Sequence, residues 1–143
     1  MAGFDALVEI VGFNGVNFIN SIDNATVPIG FTQSWSPEIN INIVAGTDTY
    51  VDWKITIVTA GTSTPANLPA ASRITSIDVD SDGTTDMTEI HRHLNANGYI
   101  LNNPTDLVVQ SAPPYQTVVG SSINYPSVSF DDRCKTRFLL ELC

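Results

Sequence analysis

Five carboxylates fall within twelve residues in the stretch DVDSDGTTDMTE, residues 78–89. Asp78, Asp80 and Asp82 stand at alternate positions, and Asp86 and Glu89 follow after Gly83. Carboxylates so close together repel one another unless a cation sits among them. Alternate acids can curl around one ion, and a glycine after the third permits the chain to turn sharply. Every candidate donor is oxygen, which suits Ca²⁺, with its six to eight hard ligands, far better than a thiophilic or imidazole-seeking transition metal.

Counted from Asp78, the acids occupy positions 1, 3, 5, 9 and 12, with Gly83 at position 6. This spacing resembles the calcium loop of the EF-hand family over these twelve residues. The resemblance implies a ligand set of Asp78, Asp80, Asp82, Thr84, Asp86 and Glu89. Thr84 would offer its backbone carbonyl, Asp86 would reach through water, and Glu89 would chelate with both oxygens. The chain departs from the family in two ways. Thr85 stands where the family carries an aliphatic residue that pairs two loops, and no second loop exists in the sequence. A single strand–loop–helix site implies a structural ion and not a calmodulin-type sensor.

Other residues offer less chemistry. His91 and His93 are the sole histidines. On a helix their spacing sends them to different faces, whereas a helical zinc pair needs a spacing of four. The expectation is one imidazole partly packed and one solvated. There is no G-x-S-x-G, H-E-x-x-H or P-loop motif, so the chain is not expected to be an enzyme. Trp53 lies on the apolar side of an alternating run and reads as a core residue. Trp35, in a Ser/Pro-rich segment, and Tyr115, after Pro113 and Pro114, are the aromatic candidates for a glycan or a neighbouring subunit.

These residues must be positioned mainly by strands. Residues 6–22 read as two strands around Asn14-Gly15, a dipeptide suited to a type I′ turn. Ile39, Ile41 and Ile43 alternate with asparagines, and Val51, Trp53, Ile55 and Ile57 alternate with polar residues. Gly46-Thr47-Asp48 between them predicts a hairpin. Short strands follow over residues 73–79, 106–112 and 116–120, and a last one over 136–143. The single helix is expected over 86–98, where Met87, Ile90, His91 and Leu94 share a face and Gly98 supplies a stop. The pattern predicts one domain, 1–143, mainly β: an antiparallel sandwich or barrel, jelly-roll-like, with one short helix after the acidic loop.

Composition bounds the role. The chain has 143 residues, 15 acids against 6 bases, a formal charge of −9, and only 15% charged residues. An acidic chain repels phosphate backbones, so direct nucleic-acid binding is not expected. No apolar run approaches the ~20 residues of a membrane helix. The N-terminal residues lack a basic n-region, which predicts synthesis in a cytoplasm without a Sec signal. Cys134 and Cys143 are then expected as thiols, not as a disulfide.

Two functional classes follow. One is a structural or assembly protein, whose charge-poor, Thr/Ser/Asn-rich surface favours association with copies of itself or with other particle proteins. In general character the chain resembles small virion proteins of tailed phages, which implies a head decoration, connector or tail component made in a host cytoplasm and carried in the virion. The other is a calcium-dependent carbohydrate-binding module, in which Trp35, Tyr115 and the acidic loop would act together.

Overall fold

The computed structural model describes residues 3–24, 35–68, 72–76, 79–81, 87–94, 96, 98–120, 123 and 138–141, the last four by backbone alone. The protein is mainly β and its strands pair antiparallel. The chain falls into two compact units, Met1–Leu68 and Pro69–Cys143.

The first unit is a two-stranded ribbon broken into two sheets. Strand β1 (Phe4–Asn14) pairs with β4 (Tyr50–Thr59), and β2 (Val16–Ser21) pairs with β3 (Glu38–Ile41). One arm of the ribbon therefore runs through β1 and β2, and the other returns through β3 and β4. The two expected hairpins, at Asn14-Gly15 and at Gly46-Thr47-Asp48, do not form. Gly15, at φ +66°, lets β1 pass into β2, and residues 42–49 bulge out opposite it. That excursion is pinned by Asn42 N donating to Gly15 O at 2.7 Å and Asn14 Nδ2 donating to Asp48 O at 2.7 Å. The turn signals were local, but pairing was decided by long-range fit. Val8 meets Ile55, Ile10 meets Trp53 and Glu9 meets Lys54 along an eleven-residue β1, whereas β2 has six residues to offer.

The predicted alternation of Val51, Trp53, Ile55 and Ile57 does appear, and β1 matches it. One ribbon face carries Phe4, Ala6, Val8 and Ile10 opposite Thr59, Ile57, Ile55 and Trp53. The register then slips at Val11, a β-bulge, and Phe13 falls opposite Val51. The other face carries Asp5, Glu9, Asp52 and Lys54. Along β2 and β3 amides predominate: Asn17 Nδ2 donates to Asn40 Oδ1 and Asn20 Nδ2 to the Glu38 carboxylate at Oε1, each at 2.8 Å. The ribbon ends in a tight return. Thr59 N donates to Thr64 O at 3.0 Å, Ala66 N donates to Ile57 O at 2.9 Å, and a bridge to Pro65 accompanies a fully buried Val58.

The second unit holds two three-stranded sheets. One has the order β5 (Arg73–Ser76), β10 (Phe138–Glu141), β7 (Gly98–Leu101); the other has β6 (Ile90–Leu94), β9 (Tyr115–Val119), β8 (Val108–Ala112). The predicted strands around Pro113 and Pro114 form the β8–β9 hairpin, and the predicted last strand is β10. Val79, Leu107 and Val118 make the buried cluster, with Ala96, Leu101 and Val109 against it. Fully burying each such side chain contributes about 1.5–3 kcal/mol.

The helix expected over 86–98 is not seen. Ile90–Leu94 is strand β6, paired with β9 from Ile90 opposite Val119 to Leu94 opposite Tyr115. The spacing that suggested a helix was real but short. Two turns of isolated helix barely repay nucleation in water, while β9 offers the same five residues a complete ladder. A short apolar run fits either period, and here the tertiary partner chose.

Candidate functional site

The acidic stretch closes a hairpin in the second unit. An isolated antiparallel bridge joins Ser81 to Thr88, which places Asp80 directly opposite Glu89, and Glu89 N donates to Asp80 O at 2.9 Å. Residues directly opposite on an antiparallel pair share a face with Cβ atoms about 4.5–5.5 Å apart. Val79 and Ser81 on either side of Asp80 are buried, so the base of the hairpin is anchored in the core. Gly120 N donates to Glu89 O at 2.8 Å and ties the hairpin to the end of β9.

Of the six residues predicted to hold a cation, the structure therefore brings Asp80 and Glu89 together. Asp78, Asp82, Thr84 and Asp86 lie outside the described residues. Among the described residues, no three His, Cys, Asp or Glu side chains gather as a metal site. What leaves the loop is strand β6 and not a helix, and Glu89 stands just before it. Two carboxylates opposite each other on a ladder destabilise it unless something positive compensates. The donor chemistry of Asp80 and Glu89 suits a hard divalent cation such as Ca²⁺.

The histidines differ from expectation. On a strand a spacing of two puts both on one face, and the His91 and His93 rings lie 6.2 Å apart by centroid. His91 is opposite the fully buried Val118, and His93 is opposite Gln116, whose Oε1 accepts from the Ser111 hydroxyl at 2.8 Å. Burial pushes the His91 imidazole below its usual range. Burial, and then the neighbouring charge of His91, push His93 down to about 4. Both rings are thus partly packed and neutral at physiological pH. The strand period would have paired them on one face, and only the helix assignment separated them.

The opposite face of the same sheet is mixed, with a polar row of Arg92, Thr117 and Gln110 between two apolar ones. Ile90, Leu94, Val108 and Tyr115 are all exposed there, and the guanidinium of Arg92 sits 5.9 Å from the Tyr115 ring centroid. Tyr115 thus already carries a cation on its ring. In the first unit, Trp35 and Trp53 meet edge to face, 4.9 Å apart at 89°. Trp35 Nε1 donates to Ile22 O at 2.8 Å. Trp53 stands opposite Ile10, so this pair folds the β2–β3 end back over the β1–β4 ladder, and perpendicular rings, one with its N–H already engaged, do not make the coplanar platform on which a sugar would stack.

Comparison of the chain with protein-family models, with curated proteins and with solved structures gives no match in any of the three.

Proposed function

We propose that the chain is a structural assembly protein, a virion subunit of the head-decoration, connector or tail kind, with a structural calcium site in the acidic hairpin. One observation carries the reading: large apolar side chains stand exposed on strands of both units. Phe4 and Phe13 on the ribbon are 54% and 65% exposed, and Ile90, Leu94 and Val108 on β6 and β8 are each more than half exposed. Exposed large apolar side chains in such number mark surfaces that function covered. A charge-poor acidic surface supplies little to keep copies apart beyond net charge. The two sheets of the second unit would pack as layers of a small sandwich, since Leu101 of one and Val118 of the other meet in one cluster.

Calcium fits this role as a fastener. Asp80 opposite Glu89 supplies two carboxylates at the hairpin base, and Asp78, Asp82, Thr84 and Asp86 would complete the shell. The bound ion would neutralise the hairpin and add its binding energy to folding. A calcium-dependent carbohydrate-binding module receives less support, because Trp35 and Trp53 stand perpendicular.

Mass photometry of the purified chain, alone and with candidate particles, tests the assembly reading. Discrete multimers, or incorporation in many symmetric copies, are expected. A monomer that joins no larger structure overturns it.

A further inference from the structure

We propose that His91 and His93 form a binding site for an imidazole-seeking divalent ion of the Zn²⁺ class, with water in its remaining positions. The inference stands apart from the calcium reading, whose side-chain ligands are carboxylates.

Strand period decides the geometry. On a helix, side chains two residues apart diverge; on a strand they share a face. Strand β6 alternates exposed Ile90, Arg92 and Leu94 with half-buried His91 and His93. The two ring centroids are 6.2 Å apart, and the ring planes differ by 39°. Residues two apart on a strand are separated by roughly 6.7 Å along the backbone, so the rings do not splay. With Zn–N bonds of about 2 Å, two imidazoles on one tetrahedral ion have their centroids about 5 Å apart. Closing the difference takes a side-chain rotation and no movement of the backbone.

The surroundings suit an ion held by nitrogen. His91 stands opposite the fully buried Val118, and Val109 lies beyond it on β8, so the floor of the pair is apolar. An apolar surround limits water at an ion and lowers the local dielectric. Gln116, opposite His93, has its carbonyl oxygen engaged by the Ser111 hydroxyl, so the two imidazoles are the strong donors of this face. Arg92 projects from the other face, where its guanidinium lies over Tyr115. No fixed positive charge therefore stands on the His91 face of β6, β9 and β8. The net charge of −9 draws cations to the chain as a whole.

Nitrogen donors select the ion. Imidazole suits Zn²⁺, Cu²⁺ and Ni²⁺, whereas Ca²⁺ and Mg²⁺ want oxygen. Two ligands from one strand do not complete a closed structural zinc site. The binding expected is therefore reversible and micromolar, with open positions on the ion.

Imidazole NMR on the untagged chain is the test, because His91 and His93 are its sole histidines and their resonances report on nothing else. Titrated with Zn²⁺ near neutral pH, both imidazoles should shift or broaden together and saturate at about one ion per chain. Isothermal titration should give the same stoichiometry. His93→Gln and His91→Asn should each weaken binding more than about tenfold, since loss of even an outer partner of a metal ligand costs that much. Should the variants fail to fold, the wild-type imidazole shifts and a Zn²⁺-dependent rise in its melting temperature still decide the matter. Imidazoles unmoved by Zn²⁺ overturn the inference, wherever else the ion binds, and so does a shift of one ring alone. Zinc displaced by millimolar Ca²⁺ also overturns it, because that result places the ion among carboxylates.

Discussion

Gly120 lies against the backbone of Asp80 so closely that a Cβ on Gly120 would come within 2.5 Å of the Asp80 carbonyl oxygen and 3.0 Å of its Cα. The contact is backbone on backbone, so no flexible side chain can yield. It seats the acidic hairpin on the end of β9. Gly120→Ala should therefore destabilise the second unit by about 1–3 kcal/mol, the range for overpacking. Gly46→Ala, where an added Cβ meets nothing, should show the smaller strain of a positive φ alone. Urea melts of both variants check the order.

Calcium should raise the melting temperature and a chelator should lower it. At a hundredfold excess over Kd the stabilisation is about 2.7 kcal/mol. Glu89→Gln should weaken binding more than Thr85→Ala, because Glu89 offers charge and two oxygens. Asp86, at a position that often acts through water, should matter less than Asp78. Isothermal titration and chelator melts read these effects, and no heat at millimolar calcium with unchanged melts would remove the ion from the account.

Stability should fall as pH drops through the histidine range. Above about pH 6.5 neither folded nor unfolded chain protonates these imidazoles. Between about 6.5 and 4 the unfolded chain takes up protons that the folded chain, with His93 held near 4, refuses. The loss is complete below about 4, where both states are protonated. Carboxylates also titrate in the lower half of this window, so the slope from pH 6.5 to 5 is diagnostic. Urea melts across that range should show it, and the double variant His91→Asn, His93→Gln should flatten it.

On the ribbon, burial should outweigh charge. The Glu9–Lys54 pair is more than half exposed on both sides, so Lys54→Ala should cost at most about 1 kcal/mol and less in salt. Val58 is fully buried, and Val58→Ala should cost about 1.5–3 kcal/mol. Paired denaturant melts at low and high salt separate the two. Equal costs would mean that the ribbon is held by its charges.

The sequence by itself determined which residues are strands almost everywhere that alternation ran long enough. The period-2 faces of β3 and β4, the strands on either side of Pro113 and Pro114, and the last strand were all legible, because side-chain alternation and φ-restricted turn residues are local properties. Asp80 and Glu89 were legible as a pair of carboxylates, by type and spacing. What the sequence could not determine was partner choice. Asn14-Gly15 and Gly46-Thr47-Asp48 carry good turn chemistry, yet β1 joined β4 and β2 joined β3, because a long ladder of matched apolar pairs outweighs a tight turn. Residues 90–94 fit a helical face as well as a strand, and β9 decided between them by supplying a ladder. That one decision moved His91 and His93 onto a common, half-buried face and set Glu89 on a hairpin opposite Asp80. Pairing is a sum of long-range contacts, and it exists only once the chain has folded.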